Sequence, residues 1–520
     1  MSNGLLKKFA SVGSATMTSR MLGFVRESIV ALILGTGPVA DVFYTCFRFP
    51  NLFRRLFAEG AFNIVFIPLF SKEVEKRGPK AAQLFANEIF SVLTTWLFII
   101  TIVAIIFMPF LVTHLVAPGF NKWPHKLDLS ITMTRIMFPY LFCMSLVAMF
   151  SGILNALRYY FLTAAVPILL NIILIVILTY ALVFDLEMKT TGLAMAWGVF
   201  VSGFTQLFIL ALALYREGMG LRFSLPRLTP SVKRFLGSMG PGLLTGGVLQ
   251  INLMIGTIIA TGQDGGTALL NFADRINQFP LGVIGVAVGV VLLPELSRAL
   301  QAGDQNEVEN LQNRSLQFVW ALTLPATVGL ILLPDEIVSL LYERGAFNSI
   351  DREKTALALA AFASGLPAYV MLKVFQSASF AREDMKTPFV YSVVMVFSNV
   401  VFSLALFPHL GHVAVALATS MSAWINCVFL SGTLWYRGHF KPNRITLRRL
   451  VVLFFSTFVM IHPVIACRNG MEDWFLGSKI SFQLLAISVT IITAMTSFLG
   501  VAFLLGGLDR YQFNVLFKKR

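Results

Sequence analysis

The sequence predicts an all-α polytopic membrane protein with fourteen transmembrane helices, and three observations carry that prediction. Of 520 residues, 57% are hydrophobic and only 13% are charged, whereas a soluble domain averages about 45–50% apolar and about 25% charged residues. Apolar stretches of about 20 residues or more, each long enough for a ~30 Å hydrocarbon layer, recur along the whole chain. The basic residues between those stretches crowd onto one side. A soluble enzyme, a nucleic-acid-binding domain and a disordered chain are poor fits, because a single soluble core stops growing near about 250–300 residues.

Taken in order, the expected spans are 10–35, 40–70, 87–113, 130–155, 162–184, 191–214, 237–260, 267–296, 316–341, 355–381, 387–407, 412–435, 448–466 and 481–506. With both termini in the cytoplasm, the cytoplasmic segments hold 25 of the 41 Lys and Arg residues and the opposite segments hold 8. That asymmetry is the positive-inside pattern, and an odd helix count would scramble it. The N-terminal Lys7-Lys8 ahead of an apolar run resembles a signal peptide only superficially. Arg20 and Arg26 interrupt the run and no small-residue cleavage site ends it, so it reads as a retained first helix.

The chain repeats itself at an interval of about 225 residues. Ile67-Pro68-Leu69-Phe70-Ser71-Lys72 recurs as Leu293-Pro294-Glu295-Leu296-Ser297-Arg298, Pro109 answers to Pro334, and Gly119 to Gly345. Arg158 ahead of Pro167 answers to Arg382 ahead of Pro388, and Gly192 leading to Tyr215-Arg216 answers to Gly411 leading to Tyr436-Arg437. Six helices per half return the chain to its starting side. The expectation is therefore two parallel six-helix repeats, a transporter signature that places a substrate site near the midplane. The domains expected are a lobe over 1–214, a cytoplasmic linker over 215–236 that could form an amphipathic helix, a second lobe over 237–436, and two C-terminal helices over 437–520.

Eight basic residues fall inside spans: Arg20, Arg26, Arg48, Arg54, Arg55, Arg135, Arg275 and Lys373. A cation at the bilayer centre costs at least ~2.5–3.5 kcal/mol and persists only beside a cavity or a partner. Arg20 and Glu27 are seven apart and share a helical face, while Arg26 points about 120° away. Asp41, Arg48, Arg55 and Glu59 would form one stripe on a regular helix, but Pro50 interrupts it. Spacing therefore leaves open whether Arg54 or Arg55 faces a cavity. Asp274-Arg275 lies ahead of Phe279-Pro280 and a Gly282, Gly285, Gly289 series that permits close helix contact.

The competing reading is that Glu27, Asp41, Glu59 and Asp274 neutralise these arginines in structural ion pairs. The deep cations outnumber the deep anions, so the set as a whole asks for an anionic ligand. Arginine suits phosphate, because its planar fork binds two oxygens at once and stays charged. Arg135 and Lys373 are weaker candidates that could equally serve packing. The six histidines show no metal-ligand spacing and Cys46, Cys143, Cys427 and Cys467 form no CxxC pair, so no metal site is expected.

The residues Ser19-Arg20-Met21-Leu22-Gly23-Phe24-Val25-Arg26-Glu27, Asp41-Val42-Phe43 and Pro50-Asn51-Leu52-Phe53-Arg54-Arg55-Leu56-Phe57-Ala58-Glu59-Gly60-Ala61-Phe62 closely resemble the MurJ (MviN) family. So do Ala117-Pro118-Gly119-Phe120, Ala273-Asp274-Arg275 and Lys386-Thr387-Pro388, and the likeness runs over essentially the whole chain. The resemblance implies a fold of the multidrug/oligosaccharidyl-lipid/polysaccharide exporter superfamily. It also implies the function of the MurJ family, whose members flip lipid II, the undecaprenyl-diphosphate-linked peptidoglycan precursor, across the bacterial cytoplasmic membrane.

By that resemblance the substrate-binding arginines are Arg20, Arg26, Arg54 and Arg275, which favours Arg54 over Arg55. Glu27, Asp41, Arg48, Glu59 and Asp274 are the accompanying cavity or gating charges. Some relatives carry an acid three residues beyond the helix 8 arginine, where this chain has Gln278. Helices 13 and 14 would accommodate the polyprenyl tail. The expected protein is a monomeric transporter working by alternating access, with lipid II and membrane lipids as partners, no nucleic acid and no cofactor. No GxxxxGK[ST] loop for ATP occurs, so the membrane potential or an ion gradient is the expected drive. The rival readings are an exporter of another polyprenyl-linked oligosaccharide and a drug or cation antiporter of the same superfamily. An antiporter would want an acidic or aromatic cavity, and a membrane glycosyltransferase would need a large outward catalytic loop. The outward loops here are about 17 residues or shorter.

Overall fold

The long apolar stretches fold as helices, and in the computed structural model every regular element among the described residues is helical. The structure describes the backbone of 3–54, 62–475 and 479–508, and the side chains of these apart from 3–11, 53–54, 62–64, 239–246, 248–249, 286–287 and 290–291. The chain forms two compact units, one of Met1–Ala268 with Arg344–Phe347 and one of Leu269–Glu343 with Asn348–Arg520.

The first unit contains α1 (Asn3–Leu34), α2 (Pro38–Arg54), α3 (Phe62–Arg77), α4 (Pro79–Ile106), α5 (Met108–Leu111), α6 (Pro124–Met137), α7 (Pro139–Ala156), α8 (Tyr160–Ala165), α9 (Ile168–Val183), α10 (Met188–Arg216) and α11 (Pro230–Ala260). Its centre is α7, buried along most of its length, against which α10, α3, α4 and α2 pack. On α10 the buried face runs through Gly192, Val199, Gly203 and Leu210, while Trp197, Phe204, Phe208 and Tyr215 are exposed on the other. A Cβ on Gly198 would lie 2.5 Å from Ile177 and one on Gly203 would lie 3.0 Å from Tyr140. Small residues here let α9 and α7 approach α10 closely, as membrane helices require.

α12 (Gly266–Gln301) starts in the first unit and continues into the second, which adds α13 (Gln305–Leu332), α14 (Pro334–Tyr342), α15 (Ser349–Ala363), α16 (Leu366–Phe380), α17 (Lys386–Leu410), α18 (His412–Tyr436), α19 (Arg444–Gly470), α20 (Glu472–Phe475) and α21 (Ile480–Leu504). α17 and α18 form an antiparallel pair, and α18 packs on α15 and α16. α19 and α21 pack on each other and on α13 through Leu324, Leu333, Leu453, Met460, Val464, Ala494 and Phe498. α13 also holds the start of α19 by polar bonds. Gln317 donates to Thr446 at 2.6 Å and accepts from Arg449 at 3.0 Å, while Asn313 reaches the Lys441 carbonyl at 3.1 Å.

Ten helical segments among the described residues are long and apolar enough to cross a membrane. Broad exposed faces of Phe, Trp, Leu and Ile on α4, α9, α10, α17, α19 and α21 belong against lipid, since no soluble monomer leaves so much apolar surface to water. The protein is a multi-pass membrane protein. Several expected spans are not single rods: 40–70 falls on α2 and α3 with 55–61 outside the described residues, and 130–155 falls on α6 and α7, which meet at Pro139.

Two boundaries differ from the sequence expectation. The first unit runs past 214 to Ala268, because α11 packs on α2 and α3. The linker is not an amphipathic helix over its first part. Residues 219–229 are an extended strap without regular structure, held along α4 by Gln83 to the Gly220 carbonyl (2.9 Å), Asn87 to the Arg222 amide (2.8 Å), Ser91 to the Ser224 amide (3.0 Å) and Thr229 to Glu88 (2.7 Å). The first three capture the strap's backbone groups, and the last joins the Thr229 hydroxyl to the Glu88 carboxylate. Thr229 then caps α11, its hydroxyl accepting from the Val232 amide at 3.3 Å.

Left-handed backbone positions recur along the chain. Gly78 and Gly303, Arg158 and Glu383, Asp185 and Gly411, and Gly218 and Gly438 all have positive φ, at separations of 225, 225, 226 and 220 residues.

Candidate functional site

α1 carries the first charges into the membrane-spanning part of the chain. Arg20 is exposed and has no hydrogen-bond or ion-pair partner among the described residues. Arg26, two turns further on, is only 7% exposed. Its Nη2 pairs with Glu27 Oε1, and its Nη1 donates to Asn171 Oδ1 on α9 at 3.0 Å. Tyr44 on α2 donates its hydroxyl to the second oxygen of Glu27. Glu27 therefore partners Arg26 and not Arg20, the residue that shares its helical face by spacing. The ion-pair reading holds at this position and leaves Arg20 as the exposed cation.

α2 supplies the next charges. Arg48 is half-buried and donates from Nη1 to Thr257 Oγ1 on α11 at 2.6 Å. Asp41 is fully buried and sits apart from the arginines. It accepts from Lys126 Nζ at 2.7 Å and from the backbone amides of Gly265 (3.2 Å), Thr267 (2.9 Å) and Ala268 (3.2 Å). Asp41 thus caps the N-terminus of α12 from another helix, where the helix dipole favours an anion. Lys126 is 1% exposed, pairs also with Asp264, and lies 5.2 Å from the rings of both Phe120 and Trp123.

Close backbone contacts surround this cluster. The Gly119 amide donates to Thr261 Oγ1 at 3.2 Å and the Ala346 amide to the Leu32 carbonyl at 2.8 Å. A Cβ on Gly119 would fall 2.3 Å from the Thr261 carbonyl, and one on Gly345, at φ +59°, would fall 2.3 Å from the Leu32 carbonyl. Only glycine fits at either place.

Other expected residues stand differently. Arg54 ends α2 but its side chain lies outside the described residues, as do Arg55 and Glu59 altogether. In the second unit, Asp274 and Arg275 are half-buried on α12, and Gln278 donates to Asp274. The amide that stands where some relatives have an acid is thus bonded to the preceding carboxylate. Arg135 is exposed and donates to the Ile105 carbonyl at 3.2 Å, and Lys373 is exposed on α16. Sequence reasoning missed Lys126, counted as a loop lysine, and Asn171, one amide in an apolar helix. The available signal for Asn171 was a polar residue inside an apolar run, whereas Lys126, between His125 and Asp128, offered none.

Comparison with known proteins bears on the family and the fold. Residues 30–509 match the family model described as lipid II flippase MurJ. The chain is 47% identical over 506 residues to a probable lipid II flippase MurJ of Rhizobium tropici, covering 97% of this chain and 95% of that one. It is 31% identical to the lipid II flippase MurJ of Burkholderia cenocepacia, covering 90% and 91%. Among solved structures, a lipid II flippase MurJ in an inward closed conformation superposes with a TM-score of 0.78 at 23% identity, covering 94% of this chain and 97% of that one. An inward-facing multidrug MATE transporter of the MOP superfamily superposes with a TM-score of 0.65 at 14% identity, covering 83% and 98%. At such identities these likenesses show the fold alone.

Proposed function

The chain belongs to the lipid II flippase MurJ family, and we propose that it carries lipid II from the inner to the outer leaflet of the bacterial cytoplasmic membrane. It is a transporter and not an enzyme. The observation that carries the reading is Arg20, an exposed guanidinium on a helix of a membrane protein with no protein anion to neutralise it among the described residues. Such a charge is costly in hydrocarbon and stable in a wet cavity that receives an anion. A diphosphate supplies that anion, with oxygens spaced for the guanidinium fork. In this reading Arg26, balanced by Glu27, lends hydrogen bonds more than net charge, and the family resemblance adds Arg54 and Arg275 as further candidate phosphate ligands.

Fourteen spans account for the chain when α1, α2–α3, α11 and α12 are counted beside the ten apolar segments. The recurring left-handed turns, with the sequence matches at the same interval, support two parallel six-helix repeats. α19 and α21 lie outside that repeat. Their exposed Phe454, Phe458, Ile491 and Ile492 offer the polyprenyl tail an apolar surface while the headgroup crosses.

The basic-residue asymmetry supports a cytoplasmic location for both termini, and in this reading the protein acts as a monomer without cofactor. Alternating access moves about two negative charges outward through an inside-negative potential of about 100 mV, which contributes roughly 4–5 kcal/mol. The membrane potential or an ion gradient then drives the cycle. The experiment is conditional depletion in cells: lipid II accumulating on the inner leaflet supports the reading, and unchanged leaflet distribution refutes it.

A further inference from the structure

Asn171 stands in a largely apolar helix, Ile168–Val183, and is 7% exposed. Both of its amide groups are used. Oδ1 accepts from Arg26 Nη1 at 3.0 Å, and Nδ2 donates to the Ser19 carbonyl at 3.0 Å. An arginine offers only donors and a backbone carbonyl only accepts, so the amide has one permitted orientation. Ser19 immediately precedes Arg20, and Gly23 brings α1 close enough that a Cβ there would touch Asn171 at 3.6 Å.

We propose that Asn171 is a positioning residue for the phosphate-binding arginines: it holds the Arg26 guanidinium and fixes the rotation of α1 so that Arg20 stays turned away from protein anions. This deepens the flippase reading and rests on it. Neither bond contributes much as packing. What the pair does is tie the buried arginine and the exposed one to the same side chain, so that Arg20 is presented by α1 in one rotation. Glu27 cannot do this alone, because it belongs to α1 and turns with it. Tyr44 fixes Glu27 but reaches neither Arg20 nor Ser19 in any bond among those described.

The test is lipid II translocation in reconstituted vesicles, read as half-saturating concentration and maximal rate separately, for the unmodified protein, Arg20→Ala, Asn171→Leu and Asn171→Asp. Asn171→Leu loses both bonds and raises the half-saturating concentration about tenfold, the usual worth of a hydrogen bond to a charged group, with the maximal rate within about twofold. Asn171→Asp keeps the acceptor for Arg26 and loses the donor to Ser19, so its shift falls between the two. A merely structural asparagine would lower protein yield and maximal rate while leaving half-saturation unchanged, and that result overturns the proposal. If Asn171→Leu does not fold, the near-isosteric Asn171→Asp decides by the same criterion. Should Arg20→Ala itself leave half-saturation unmoved, the diphosphate reading fails instead.

Discussion

Lys126 places its ammonium 2.7 Å from the Asp41 carboxylate, and both side chains are almost wholly sealed from solvent. Two residues 85 positions apart are joined there, with α12 capped by the same carboxylate. Removing one member of a buried pair leaves an uncompensated charge, whereas removing both is far milder. Lys126→Met is expected to lower stability by about 3 kcal/mol, and Asp41→Asn combined with Lys126→Met to recover part of it. Thermal unfolding of the detergent-purified variants in a double-mutant cycle measures this.

The Arg26, Glu27 and Tyr44 node makes a graded prediction. Tyr44→Phe removes one hydrogen bond to a charged group and costs about 1.5–3 kcal/mol. Glu27→Gln leaves Arg26 buried without its counter-charge and costs more, about 3–5 kcal/mol. The order of the two unfolding temperatures is the check, with Glu27→Gln the lower.

Gly119 and Gly345 lie where backbones touch, so Gly119→Ala and Gly345→Ala must displace the 117–122 segment from Thr261 and the 344–347 turn from Leu32. Each is expected to open that contact. A cysteine introduced at Thr36, which is 9% exposed, then reacts faster with an impermeant maleimide added outside cells. Unchanged labelling would mean that the contact tolerates the extra carbon.

Asp384, in the turn between α16 and α17, is an acid-stability element. Burial raises its carboxyl, but hydrogen bonds from Thr387 and the Arg437 guanidinium at 2.7 Å outweigh this and hold it below the usual carboxylate range. A depressed carboxyl stabilises the fold fully above its unfolded value and loses that contribution as pH falls through the folded value. Asp384→Asn should therefore flatten the acid limb of a stability–pH profile and leave fewer differences at low pH. The effect is small, since the pair is partly solvent-screened.

Much of the fold was legible in the sequence, because hydrocarbon demands long apolar helices and those runs are visible in any window. Arg20, Arg26 and Glu27 were legible for the same reason: charges inside such runs stand out. Partner choice was not. Seven-residue spacing pairs Glu27 with Arg20, yet the neighbouring Arg26 takes it, because Tyr44 and Asn171 approach from α2 and α9. The burial of Lys126 depends on an acid 85 residues away and two aromatic rings, which local composition does not encode. The strap over 219–229 was illegible for a similar reason, since the polar face of α4 that holds it lies more than 130 residues upstream.

The most direct measurement is lipid II translocation by the purified protein in vesicles with Arg20 changed to alanine and, separately, to lysine. A bidentate guanidinium–phosphate contact worth about 3 kcal/mol implies a loss of about a hundredfold in apparent affinity for Arg20→Ala, with Arg20→Lys recovering only part. Translocation by Arg20→Ala within twofold of the unmodified protein, at unchanged half-saturation, would contradict the account.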